Sequence, residues 1–140
     1  MEIKSYSFEE TYAIGLMTGK EAKVKDIFCL EGDLGVGKTV FAKGFAKGLQ
    51  INEDITSPTF TIVNVYEGNL KFYHFDLYRI EDEDELFDIG FDDYLYGDGV
   101  CLVEWPKNGD SFIPKEAIKI KISKDLQKGE EYRLITIDGE

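Results

Sequence analysis

The chain has 140 residues and a mass of 16.0 kDa, the length of one domain, here residues 1–140, and a core of that size folds without a disulfide or metal staple. Apolar residues make up 43%, and uninterrupted apolar runs stop at about four residues, as in Ile27-Phe28-Cys29-Leu30, which excludes a disordered chain and a membrane-spanning helix of about 20 residues. The net charge is −12, from 28 acids and 16 bases, so the chain has no overall field to attract a nucleic-acid backbone. Charge is uneven: residues 1–50 carry seven acids and seven bases, whereas Glu81–Gly99 carries nine acids and no base. That acidic stretch reads either as a solvated face or as a docking surface for a basic partner. A neutral N-terminal half inside an acidic protein fits a site that receives an anion. Met1-Glu2-Ile3-Lys4-Ser5 shows no apolar export core, and Cys29 and Cys101 lie in apolar runs, so a cytoplasmic protein with two buried thiols is expected.

In chain order, Ser7-Phe8-Glu9-Glu10 reads as a capping box. It opens a helix from about Phe8 to Thr18, with Gly19 suited to its C-terminal end. Asp26–Glu31 reads as a buried strand, followed by a glycine-rich turn and a helix over Lys38–Leu49. Gly44 and Gly48 inside that helix each cost about 1 kcal/mol against Ala. They suggest close packing on a sheet or early termination. Thr61–Tyr66 and Lys71–Leu77 predict an antiparallel hairpin around Glu67-Gly68-Asn69-Leu70, and Asp84–Ile89 a short helix closed by Gly90. Val100–Glu104 predicts a strand ending in an acid; Ala117–Ser123 and Glu131–Asp138 predict a second hairpin around Lys128-Gly129. Together these elements predict an α/β fold, a mixed sheet flanked by helices with antiparallel hairpins.

One motif carries chemistry. Gly32-Asp33-Leu34-Gly35-Val36-Gly37-Lys38-Thr39 matches G-x-x-x-x-G-K-(S/T), with a strand before it and a helix after it. Backbone N–H groups reach phosphate oxygens only where the chain wraps closely, which Gly32, Gly35 and Gly37 permit. The helix beginning at Lys38 offers free N–H groups and its positive dipole end. The Lys38 ammonium can reach the β- and γ-phosphates, and the Thr39 hydroxyl can ligate Mg²⁺. The sequence therefore predicts a nucleotide site over Gly32–Val40.

Hydrolysis also requires an acid near the metal. Val100–Glu104 has the form of a Walker B strand, with Glu104 at the C-terminal end, where such sheets face their ligand. Alternation places Asp76 on one sheet face with His74 and Tyr78. Asp76 reads equally as functional or structural, and His74 as a packed histidine or a catalyst. Ser57-Pro58-Thr59-Phe60 is either a loop that senses the γ-phosphate or an ordinary proline turn. Trp105, the only tryptophan, follows Glu104 directly. With only Arg79 and Arg133 as arginines, a small-molecule kinase is a weaker reading, because kinases neutralise the transferred phosphoryl group with several such side chains.

GDLGVGKTVFAKG (Gly32–Gly44), SPTFTIVNVYEG (Ser57–Gly68), YHFDLYRI (Tyr73–Ile80), ELFDIGFDDYL (Glu85–Leu95) and VEWP (Val103–Pro106) together resemble the TsaE (YjeE) family of P-loop ATPases of bacterial tRNA threonylcarbamoyladenosine synthesis. The likeness spans residues 5–137. Val36, Val40 and Lys107 depart from common family residues. The resemblance implies a P-loop NTPase-like fold and slow ATP hydrolysis to ADP with Mg²⁺. It implies action on a TsaB–TsaD-type complex, which handles the tRNA itself. It implies roles in chemistry for Lys38, Asp76, Glu104 and Trp105, and magnesium held by Thr39 and Glu104. It also implies nucleotide sensing by the SPTF and HFDLYR stretches, and flanking of the base by the region of Thr11 and Arg133. Two alternatives stand beside it: a nucleotide-dependent binding module in which hydrolysis is not essential, and a small-molecule kinase.

Overall fold

A computed structural model describes residues 1–33, 35–56, 58 and 61–138. Seven strands form one sheet: β1 (Glu2–Ser5), β2 (Ile27–Glu31), β3 (Val63–Glu67), β4 (Lys71–Asp76), β5 (Val100–Glu104), β6 (Ile118–Lys124) and β7 (Arg133–Asp138), in the order β1-β7-β6-β2-β5-β4-β3. The four central strands, β6, β2, β5 and β4, are parallel. β3 pairs antiparallel with β4, β7 with β6, and β1 with β7. The sheet is thus mixed, as the sequence predicts, with both hairpins at its edges. β2 and β5 are central and buried along nearly their whole length, so their apolar runs are continuous rather than alternating.

Helix α1 (Phe8–Glu21) begins as expected: Glu10 N donates to Ser7 Oγ at 3.1 Å, and the Glu10 carboxylate accepts from Tyr6 N at 2.9 Å. It does not stop at Gly19. It runs three residues beyond the predicted end, and the reason is its partner, α2 (Lys38–Gly48). Gly15 and Gly19 are four residues apart on α1, Gly44 and Gly48 four apart on α2, so each pair lies on one face. A Cβ on Gly15 would meet Phe41 O at 2.3 Å, and one on Gly19 would meet Phe45 O at 2.1 Å. From the other side, Gly44 would meet Tyr12 O at 2.1 Å and Gly48 would meet Leu16 O at 2.2 Å. The α2 glycines therefore permit close packing against a helix rather than against the sheet. The sheet side of α2 is the opposite one, where Phe41, Phe45 and Leu49 enter a core with Phe28, Leu30, Phe72, Leu102 and Ile120.

The other sheet face packs Cys29, Phe75, Cys101 and Val103 against Leu86, Phe91 and Leu95 of α3 (Glu83–Asp88) and α4 (Phe91–Leu95). In the acidic stretch, then, Leu86, Phe91 and Leu95 turn inward, while Phe87 and Tyr96 stay exposed. Asp82 and Glu85 form the capping box of α3, and Gly90, at φ 76°, separates α3 from α4. Both thiols are buried and free, and desolvation pushes each up to about 12, so both are protonated and unreactive at neutral pH. β1 and α4 are absent from the sequence reading; at four and five residues they are too short to show a period. Among the described residues no helix is long and apolar enough to cross a membrane.

Replacing Gly44 with Ala is expected to destabilise the fold by about 1–3 kcal/mol in urea unfolding, although Ala is the better helix former, because the new methyl meets backbone that cannot retreat.

Candidate functional site

β2 ends at Glu31 and the chain turns into α2 through residues 32–37, of which Leu34 lies outside the described residues. Gly35 and Gly37 have φ of 80° and 98°, a region that L side chains rarely adopt. A Cβ on Gly32 would lie 2.8 Å from Ile122 O, so the loop runs hard against β6. Gly37 is the N-cap of α2 and supplies no side-chain acceptor. The first N–H groups of that helix, those of Lys38, Thr39 and Val40, therefore have no intrahelical partner and suit an anion. Thr39 and Asp33 are exposed, Val40 is half-buried and Val36 is buried in the core.

Arg133 holds the loop from behind. It is only 3% exposed. Its Nε donates to Val36 O at 2.6 Å, while Nη1 donates to Glu130 O and Tyr132 O, both at 2.7 Å. In a planar trans peptide the carbonyl and the next amide point opposite ways. Fixing Val36 O toward Arg133 therefore turns Gly37 N–H away from it. The guanidinium also faces the Phe8 ring at 5.5 Å. Thr11 is fully buried in α1, its hydroxyl 2.7 Å from Ser5 Oγ. The structure thus brings Arg133 to the phosphate loop as a brace and places Thr11 in the first turn of α1, beside Ser5.

Lys38 is 6% exposed, and its Nζ has no hydrogen-bond partner among the described residues. The ammonium lies 3.8 Å from the centroid of the Trp105 ring, a cation–π contact. Burial pulls Lys38 below the ordinary lysine value; the nearby charges of Glu104, Asp76 and Asp33 oppose that shift. Trp105 adopts φ 56° directly after β5, which presents its ring beside the loop, where the Tyr78 ring lies 4.9 Å away. Asp76 and Glu104 are cross-strand partners at the ends of β4 and β5, and both are buried. Asp76 Oδ1 accepts from Tyr78 N at 3.0 Å, and Leu77 N donates to Glu104 O at 3.1 Å. His74 Nε2 lies 2.6 Å from Glu104 Oε2. Lys38, Asp76, Glu104 and Trp105 are thus gathered at the C-terminal ends of parallel strands.

A cleft of about 610 Å³ opens beside the loop, lined by Gly32, Asp33, Trp105, Lys107, Lys121 and Lys124. Sequence reading does not find the last two, because Lys121 alternates with Lys119 like any solvated strand face and Lys124 reads as an ordinary strand end. It also leaves open the His74–Glu104 contact, which joins residues 30 apart. Of Ser57-Pro58-Thr59-Phe60, only Pro58 is described; it is buried and its carbonyl accepts from Ile62 N at 2.8 Å.

The site suits a magnesium nucleotide. A glycine cradle that side chains would fill, together with a buried ammonium lacking a partner, matches a triphosphate. Among the described residues no three or more His, Cys, Asp or Glu side chains are grouped to hold a metal. One hydroxyl and one carboxylate remain, a donor set that suits magnesium, which keeps waters and phosphate oxygens as its other ligands.

Comparison with known proteins agrees. The family model described as "Threonylcarbamoyl adenosine biosynthesis protein TsaE" matches residues 5–133. The chain belongs to the TsaE family. It is 50% identical over 129 residues to the tRNA threonylcarbamoyladenosine biosynthesis protein TsaE of Bacillus subtilis, covering 91% of this chain and 78% of that one. The Borreliella burgdorferi protein of the same name is 41% identical over 140 residues, covering 99% and 95%. The crystal structure of Bacillus subtilis YdiB superposes with a TM-score of 0.81 at 41% identity, covering 99% of this chain and 84% of that one. The TsaE resemblance and the mixed α/β fold drawn from the sequence therefore both hold.

Two outcomes are expected at this site. In Lys38→Met a buried charge is exchanged for an apolar chain. A lysine held below its ordinary value disfavours the folded state wherever the amine is charged, that is, at neutral and lower pH. The ligand-free variant should therefore melt no lower than wild type in calorimetry at pH 7, while ADP no longer raises its midpoint. Arg133→Leu should leave Val36 O without its donor and weaken ADP binding by about tenfold in titration calorimetry.

Proposed function

We propose that this chain is a magnesium-dependent ATPase serving the formation of N6-threonylcarbamoyladenosine in tRNA, acting as a nucleotide-driven component of a TsaB–TsaD-type complex rather than building the modified base itself. The observation that carries the ATP reading is the Lys38 ammonium, buried, unpartnered and set behind a glycine loop at a helix N-terminus. The pathway and the partner complex follow from family membership and the names its relatives carry. An acidic surface supports leaving the tRNA to those partners.

In this reading the nucleotide's phosphates lie over residues 32–40. Lys38 exchanges the Trp105 face for phosphate oxygens, a stronger partner for a desolvated cation. The amides of Gly35 and Gly37 and the start of α2 take the remaining oxygens, with Arg133 keeping Val36–Gly37 in the receptive orientation. Thr39 and Glu104 are the residues that would hold magnesium, which supplies charge neutralisation on the transferred phosphoryl group. Asp76, fixed by the Tyr78 amide beside Glu104, provides the second acid of the site. Release of Trp105 when Lys38 departs couples nucleotide occupancy to a surface that a partner can read.

The test is phosphate release by the purified chain with and without its partner pair, together with copurification of the three proteins in the presence and absence of ATP. Lys38→Ala should lose nucleotide binding. Glu104→Gln should retain ADP binding and lose hydrolysis by about 10²-fold or more. No calorimetric heat with ADP, either alone or with the partners present, would overturn the proposal.

A further inference from the structure

His74 is the only histidine of the chain and is 2% exposed. Its cross-strand neighbours on β5 and β3 are Leu102 and Asn64, and its ring stacks on Phe72 at 5.6 Å and 12°. A phenylalanine would fill that slot without burying ring nitrogens, at the cost of the partner that Glu104 Oε2 has here. The imidazole instead has an Nδ1 with no hydrogen-bond partner among the described residues. Packing therefore does not account for a histidine at this position. What the imidazole adds is one contact, from Nε2 to Glu104 Oε2 at 2.6 Å, inside the protein. With the Glu104 carboxylate as the acceptor, the donor of this contact is Nε2–H, and a hydrogen bond to an ion away from water is short and strong.

The surroundings give that contact a task. Glu104 lies in the field of Lys38, whose ammonium has no hydrogen-bond partner and rests on Trp105 instead. Opposite charges in a desolvated pocket attract strongly. A Glu104 free to rotate would close onto Lys38 and withdraw both groups from a nucleotide. We propose that His74 is a positioning residue for Glu104. Its Nε2–H ties down one carboxylate oxygen, keeps the acid off Lys38 and leaves the second oxygen to serve magnesium or a magnesium-bound water. This role rests on the ATPase reading only for what Glu104 does next; the contact and its geometry are independent of it.

The first test is spectroscopic, on the full chain labelled with ¹⁵N-histidine. Wild type should give one imidazole protonated at Nε2, and Glu104→Gln should move that N–H resonance toward weaker hydrogen bonding. A ring protonated at Nδ1, or a resonance indifferent to Glu104→Gln, overturns the proposal. The second test compares His74→Phe with His74→Gln, which keeps an N–H donor. The Phe variant should lose about 10–100-fold in kcat and need more magnesium for half-maximal rate, the range expected when a ligand's support is removed. Its KM for ATP should stay close to wild type, and Gln should restore most of the loss. Wild-type kcat and magnesium dependence in the Phe variant, or equal losses in both variants, would overturn the role. If the wild-type chain hydrolyses nothing, the ATPase reading falls. The magnesium dependence of ADP binding, followed by Trp105 fluorescence, then decides the role of His74: unchanged in the Phe variant, it overturns the proposal; shifted to higher magnesium, it upholds it.

Discussion

A cation taken out of water without a hydrogen-bond acceptor is the condition around which this protein is arranged. Lys38 opens α2, and the helix that carries it is locked on both sides, by aromatic side chains on the sheet and by glycines against α1. The ammonium therefore cannot withdraw to solvent by moving its backbone. Among the described residues the fold offers it the face of an indole and the field of three acids. An aromatic face is a weaker partner than water or phosphate. The ligand-free site is thus held at a higher free energy than its packing alone would give.

The acids near Lys38 are kept from relieving it. Asp76 is engaged by the Tyr78 amide and Glu104 by His74. Both contacts come from β4 or the turn after it, so the strand beside the Walker B strand governs the acidic half of the site. The basic half is governed from β7, through Arg133 and the Val36 carbonyl. The phosphate loop is therefore shaped by two strands remote from it in sequence.

Much of this was readable in the chain itself. The phosphate loop, the Walker B form of Val100–Glu104 and both hairpins follow from local patterns with physical causes: glycine freedom, a buried parallel strand, turn residues between β-rich runs. Gly19 misled because a helix-terminating glycine and a helix-packing glycine look alike until the partner helix is seen. The sequence around Arg133 has no local signal for its target, a carbonyl 97 positions earlier. Thr11 illustrates the same gap: nothing in the sequence around it signals the contact its hydroxyl makes with Ser5. What pattern reading lacks in each case is the identity of the residue across the interface, which only the topology supplies.

The interlocked glycines of α1 and α2 have a mechanical consequence. With each backbone seated in the notches of the other, the two helices behave as one stiff body, and sliding either past the other would drive Cα atoms into carbonyls. Any change of shape in this fold is accordingly shifted to the opposite flank, where short helices and 3-10 turns follow β4 and β5. The molecule is built as an anvil with one working side.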